Sequence, residues 1–185
     1  MQKHKLRNDY NDPGHAHELT WSCYRRMKLL RSDIACQLVA DAIDKARVTH
    51  NFAVWAFVFM PEHIHLLIHP RESEYDIALI RKAIKQGASQ RAISHLKRHN
   101  PEALDPLKVV NSQGLVSHRF WQEGGGYDRN LFAPKAIRAA ISYIHANPVR
   151  RGLAESIFDW KWSSARTFHA EGDSPIKIDA CEVIV

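Results

Sequence analysis

The chain has 185 residues, 45% of them hydrophobic, which is enough for one packed domain and short for two. Its 26 Lys and Arg against 20 Asp and Glu give a net charge of +6 and a pI near 9.3, favouring a polyanionic partner without identifying one. Three cysteines without C-x-x-C spacing speak against a disulfide framework, the first residues lack the apolar core of a signal peptide, and the longest apolar run, residues 52–60, is too short to cross a bilayer. A cytoplasmic protein with no membrane contact is therefore expected.

Residues 1–14 are polar and end in the turn signal Asn11-Asp12-Pro13-Gly14, which predicts a flexible N-terminal arm ahead of a domain at 15–168 and a C-terminal tail at 169–185. His17, Leu19, Trp21 and Cys23 alternate with Glu18, Thr20 and Ser22, the period of a strand, and Ser32 or Asp33 then caps a helix running to about Val48. Residues 52–59 are almost continuously apolar and read as a buried central strand. The short turn Met60-Pro61-Glu62 leads directly into a second strand at 63–69, so the two form a hairpin.

A long helix is predicted from about Glu74 to His99, stopped by Asn100-Pro101. Between Ile77 and Pro101 it carries Arg81, Lys82, Lys85, Arg91, Lys97 and Arg98 and no acid, the pattern of a solvated face or of a surface for phosphates. Residues 115–122 are a candidate fourth strand, ended by Gly124-Gly125-Gly126, which fits no phosphate-loop pattern. Pro134 opens a last helix whose Ile137, Ile141 and Ile144 form a buried stripe. Tyr143 and Asn147, four apart, share another face of it, and Pro148 is expected to end it.

His63 and His65 lie two apart on the second strand of the hairpin. Their side chains therefore point the same way, about 7 Å apart at the backbone, and can converge on one divalent ion. The spacing alone does not separate a metal pair from ordinary strand histidines, because the chain has 12 histidines and a second such pair at His15-Ala16-His17. His69 shares the face of the pair but stands about 13 Å beyond His65 on an extended strand, too far for a common ion.

Four motifs occur in order: Pro61-Glu62-His63-Ile64-His65-Leu66-Leu67, Phe120-Trp121-Gln122, the string from Tyr143-Ile144-His145-Ala146-Asn147-Pro148 to Val149-Arg150-Arg151-Gly152-Leu153, and Trp162-Ser163-Ser164. Together they resemble the REP-associated tyrosine transposases, single-tyrosine members of the HUH nuclease superfamily related to insertion-sequence transposases. The resemblance spans about residues 15 to 166. It implies an α+β, ferredoxin-like antiparallel sheet with helices on one side, the histidine pair on a central strand, and a C-terminal tyrosine-bearing helix laid beneath the sheet.

The resemblance also implies a function: a transposase-type single-stranded DNA endonuclease and strand transferase that acts on hairpin-forming repeats through a 5′-phosphotyrosine. Tyr143 is then the nucleophile, and His63, His65 and Asn147 hold Mg²⁺ or Mn²⁺. Two imidazoles and an amide oxygen would leave positions open for a phosphate oxygen and water. The acid-free helix makes Arg81, Lys82, Lys85 and Arg91 the candidate DNA contacts, and the protein would act on single-stranded or hairpin DNA as a monomer or homodimer at the nucleoid.

Tyr127 is the rival nucleophile, in a glycine-rich segment where no rigid helix is expected to aim it. Trp162-Ser163-Ser164 is expected to fasten the end of the domain to the core. Two other readings stay open: a catalytically inactive DNA-binding domain, and a His-x-His metal hydrolase of small molecules.

Overall fold

The structure, a computed structural model, describes residues 9–183. Four strands, β1 (Ala16–Ser22), β2 (Phe52–Met60), β3 (His63–Pro70) and, further along, β6 (Tyr127–Leu131), form an antiparallel sheet in the order β2-β3-β1-β6. Helices α1 (Asp33–His50) and α2 (Ile77–His99) connect them, and a small separate hairpin, β4 (Lys108–Val110) with β5 (Val116–His118), follows α2. Helices α3 (Pro134–Arg150) and α4 (Ala165–Phe168) complete the chain.

Alternation along the strands sorts the side chains into two cores. Leu19 and Trp21 of β1 and Ile64, Leu66 and Ile68 of β3 pack under α1 and α2. On the other face Ala16, Leu67 and Leu131 meet Ile137, Ala140, Ile141 and Ile144 of α3. With both faces covered, β2 is buried along its whole length, which is why its sequence shows no alternation. A register shift between Val54 and Ala56 moves Phe57 and Phe59 onto the face that Phe52 and Val54 already use. The two crossover helices thus share one face, and the tyrosine-bearing helix takes the opposite one. His63 and His65, in alternation with Ile64 and Leu66, fall on the α3 side.

Local signals explain the element ends. The Ser32 side chain accepts the Ala35 N–H at the start of α1, and Asp76 accepts the Ala78 and Leu79 N–H groups at the start of α2. Pro148 does not end α3, contrary to expectation. It removes one donor inside the last turn, and the Arg151 N–H still returns to the Asn147 carbonyl at 3.1 Å.

The fourth strand of the sheet is β6, not residues 115–122, which form only the short arm of the β4–β5 hairpin and its exit. Tyr-Asp-Arg-Asn-Leu is polar and carries no strand-like apolar alternation, because only its last residue enters a core. Gly126 delivers the chain to it: φ is +76°, and a Cβ there would stand 2.3 Å from the Thr20 carbonyl oxygen.

The segments assigned to an arm and a tail are docked where they are described, while residues 1–8 of the expected arm lie outside the described residues. The Asn11 side chain accepts the Ile77 N–H, and Tyr75 donates its hydroxyl to the Asp12 carbonyl. At the other end, Ile176 is fully buried and Asp179 exchanges hydrogen bonds with the backbone of Val54. Residues 162–164 bond to β2 through Phe59 N–H to Trp162 O and Ser164 N–H to Phe57 O, which fastens the domain end as expected. Among the described residues, no helix is long and apolar enough to cross a membrane.

Candidate functional site

On the α3 side of the sheet, Thr20 of β1 lies opposite His65 of β3, and Ser22 lies opposite His63. The two imidazoles meet through their Nε2 atoms at 3.1 Å. Their other nitrogens have partners: His65 Nδ1 is 2.9 Å from Thr20 Oγ1, and His63 Nδ1 is 3.1 Å from Glu62 Oε1. Glu62 is held in turn by Arg151, just past α3, at 2.6 Å. The Glu62 carboxylate requires a proton on His63 Nδ1 and leaves His63 Nε2 as a lone pair, whereas the Thr20 hydroxyl can donate to or accept from His65 Nδ1, so His65 Nε2 either donates to His63 Nε2 or presents a second lone pair.

Electrostatics keep the pair neutral. Burial pushes His65 down to about 4, assisted by the charge His63 would carry. Burial also lowers His63; the Glu62 carboxylate opposes this, and the positive charges of Arg151 and Arg26 reinforce it. Burial acts to raise Glu62, but the Arg151 hydrogen bond and the His63 contact prevail and hold it below the usual carboxylate range.

At 3.1 Å the two Nε2 atoms share a hydrogen bond in one His65 tautomer and can both offer lone pairs to a cation in the other. Nitrogen donors about 2.1 Å from a common ion stand roughly 3.0 to 3.4 Å apart, so the pair fits a divalent metal. Among the described residues no group of three or more His, Cys, Asp or Glu side chains could hold an ion, so no such cluster accompanies the histidine pair. The third expected ligand, Asn147, is an amide. It is buried near the end of α3 and donates its Nδ2 to the Tyr143 carbonyl at 2.9 Å, which commits the amide nitrogen and leaves Oδ1 as the acceptor end.

Tyr143 sits one turn earlier on α3. Its ring meets His65 edge-on at 5.6 Å between centroids, the Arg150 guanidinium lies 4.9 Å from the ring centre, and the side chain is 42% exposed. It opens onto a cleft of about 360 Å³ lined also by Glu18, Thr20, His65, Tyr127 and Arg129. Arg129 stands 2.7 Å from Glu18 Oε2, an ion pair by distance, although its N–H is not aimed at that oxygen. Tyr127 is on strand β6 opposite Thr20, so it shares the cleft and rests on a regular element after all. Tyr143 differs from it in being carried on α3, the helix of Asn147.

The basic-helix expectation needs correction. Arg81 is buried, pairs with both carboxylate oxygens of Asp9 at 2.8 and 2.7 Å, and reaches Asp128 at 3.2 Å, so it cannot meet a phosphate. Asp128 also bonds His17 at 2.8 Å, completing a polar cluster beneath α2. Removing one member of such a cluster strands buried charge. Arg81→Ala is therefore expected to lose about 3–5 kcal/mol of stability, read as a lowered urea midpoint; an unchanged midpoint would refute the structural role.

Lys85 donates to the Gln122 and Gly124 carbonyls and is pushed down to about 8 by burial, with Arg81 adding repulsion; it anchors the glycine segment. Lys82 is exposed and Arg91 lies 3.6 Å from Asp41, but both ride on α2, across the sheet from the histidine pair. His145 is also structural, its Nε2 being 2.9 Å from Ser164 Oγ in the interior.

The side chains that the sequence did not single out are Thr20, Glu62, Arg150 and Arg151. Thr20 was readable only as a face-mate of Glu18 and Ser22. The others lie within the four motifs, where adjacency to His63 and Asn147 was the available signal.

A family model described as "Transposase IS200 like" matches residues 14–147. A REP-associated tyrosine transposase of Escherichia coli K12 is 26% identical over 152 residues, 82% of this chain and 76% of that protein. A Haemophilus influenzae protein under a provisional form of the same name is 26% identical over 122 residues, and the match spans 66% of this chain but only 62% of that protein's length. The solved structure of a REP-associated tyrosine transposase bound to a REP hairpin superposes with a TM-score of 0.69 at 23% identity, covering 97% of this chain and 93% of that one, a likeness of fold.

Proposed function

The chain belongs to the IS200-like transposase family, and from that premise we propose that it cuts and rejoins single-stranded DNA beside hairpin-forming repeats, with Tyr143 as the nucleophile and His63, His65 and Asn147 as ligands of Mg²⁺ or Mn²⁺. The observation that carries this reading is the accessible Tyr143 ring packed against His65, whose Nε2 lies 3.1 Å from that of His63. The hairpin substrate follows the names of the relative and of the solved structure.

In the reaction, the Tyr143 oxygen forms a bond to the scissile phosphorus and gives up its proton. The bond from phosphorus to the 3′ oxygen breaks, and that oxygen leaves as a 3′-hydroxyl. The 5′ end stays on the tyrosine. A second 3′-hydroxyl attacking the phosphotyrosine reverses these steps and joins strands without ATP, because the bond energy is stored in the adduct. The bound ion would supply Lewis-acid polarisation of the scissile phosphate. Arg150, with its guanidinium 4.9 Å from the centre of the tyrosine ring, holds that ring by a cation–π contact. Helix α3 carries Tyr143, Asn147 and Arg150 together, so nucleophile and amide arrive as one rigid unit.

The test is incubation with 5′- and 3′-labelled hairpin DNA and Mn²⁺, followed by denaturing electrophoresis and peptide mapping. A covalent adduct at Tyr143 with release of a free 3′-hydroxyl fragment is expected. An adduct at Tyr127, or cleavage without any adduct, would refute the assignment.

Glu62 gives a second test. Its carboxylate fixes the His63 tautomer, so Glu62→Gln should weaken Mn²⁺ binding roughly 10- to 100-fold. Calorimetry measures this directly, and unchanged affinity would show that Glu62 does not orient the ligand.

A further inference from the structure

Arg25 and Arg26, both exposed, stand in left-handed backbone with φ of 51° and 54°. L residues avoid this region because Cβ crowds the following carbonyl oxygen, and glycine or asparagine would suit both positions better. Such conformations persist where the surroundings dictate them. Here they do. The turn is pinned by Cys23 N–H to Glu62 O at 2.8 Å, Tyr24 N–H to Phe120 O at 2.9 Å, Arg25 N–H to Gln122 Oε1 at 3.1 Å and Arg26 N–H to Cys23 O at 3.0 Å.

Its position is equally defined. The turn grows directly out of β1, whose last residue, Ser22, is opposite His63, and its first anchor is the carbonyl of Glu62. The turn that carries the two positive side chains thus begins beside the histidine pair. Among the described residues neither makes an ion pair with a carboxylate, and the neighbouring Glu62 is already engaged by Arg151 and His63. Arg25 lies 5.0 Å over the Tyr24 ring, a contact that fixes the guanidinium without using its N–H donors.

Adjacent cations with unspent donors, on a backbone held in an unfavourable conformation beside a phosphodiester-cutting site, call for an anionic ligand there. We propose that Arg25 and Arg26 are a phosphate clamp that grips the DNA strand on the His63 side of the scissile bond. The cleft of Tyr127 and Arg129 lies toward the other end of β1, past Thr20, so the clamp and the cleft bracket the histidines and define a strand path along β1. This rests on the DNA-cutting reading above.

The experiment replaces both residues by glycine, Arg25→Gly with Arg26→Gly, which suits the positive φ and so leaves the turn intact. Binding to a DNA hairpin with randomised unpaired flanks is measured without divalent metal across a salt series, beside thermal melting. The double variant should melt at or above the wild-type temperature yet bind more weakly. Its logarithmic salt dependence should be shallower by roughly 0.7 for each single-strand phosphate that is no longer neutralised. The charge-retaining pair Arg25→Lys with Arg26→Lys should keep most of the slope. Wild-type affinity and slope in the glycine variant would overturn the clamp while leaving the cutting function standing. A large fall in its melting temperature would show that the arginines only build the turn, and would also overturn it. A wild-type protein that neither binds nor cuts such DNA would overturn the functional reading itself.

Discussion

Tyr143→Phe is expected to abolish the covalent adduct and to reduce cleavage by on the order of 10⁴-fold or more, since the attacking oxygen is removed while everything else stays. Among the described residues the Tyr143 hydroxyl makes no hydrogen bond, and the ring contacts with His65 and Arg150 survive in phenylalanine. Melting temperature and hairpin affinity should therefore match wild type. Tyr127→Phe should retain cleavage and adduct, because Tyr127 shares the cleft from strand β6 and not from the helix that carries Asn147. Cleavage by the Tyr143→Phe protein, read on the same labelled DNA, would refute the nucleophile assignment.

Replacing His63 and His65 together by alanine should eliminate high-affinity Mn²⁺ binding, a loss beyond the roughly 10- to 100-fold expected for a residue that only orients a ligand. Cleavage should fall with it. Asn147→Ala should give a partial loss, since it removes one donor and also frees the Tyr143 carbonyl from its 2.9 Å hydrogen bond. Unchanged calorimetric affinity in the double histidine variant would place the ion elsewhere.

The features readable in the sequence were those with a local signature. Alternation in residues 16–22, the unbroken apolar run of β2 and the stripe of isoleucines in α3 gave those elements, and the ordered motifs pointed to His63, His65 and Tyr143. What escaped was decided by distant partners. Arg81 looked solvated because a helix-only view counts charges and not their neighbours; its carboxylates lie 72 and 47 residues away. Strand β6 was hidden because an edge strand with one buried side chain has no apolar rhythm. Thr20 reaches a ring nitrogen across strands, and Arg151, past a helix end, holds the Glu62 that bonds His63; no spacing rule announces either contact. The left-handed arginines are equally silent, for nothing in Tyr-Arg-Arg-Met asks for positive φ.

The separation of the candidate site's parts along the chain bears on when that site is assembled. The histidine pair emerges from the ribosome with β3, but the attacking oxygen and Asn147 are on α3. The sheet surface they meet closes only when β6 returns to β1, as the His17 to Asp128 contact across 111 residues shows. Long loops of this kind close late in folding, because their entropy is lost before the contacts reward it. On the reading with Tyr143 as nucleophile, a nascent chain can thus display imidazoles before the nucleophile exists, and strand-breaking capacity would come only with α3 in place. The order of synthesis would then itself be a safeguard.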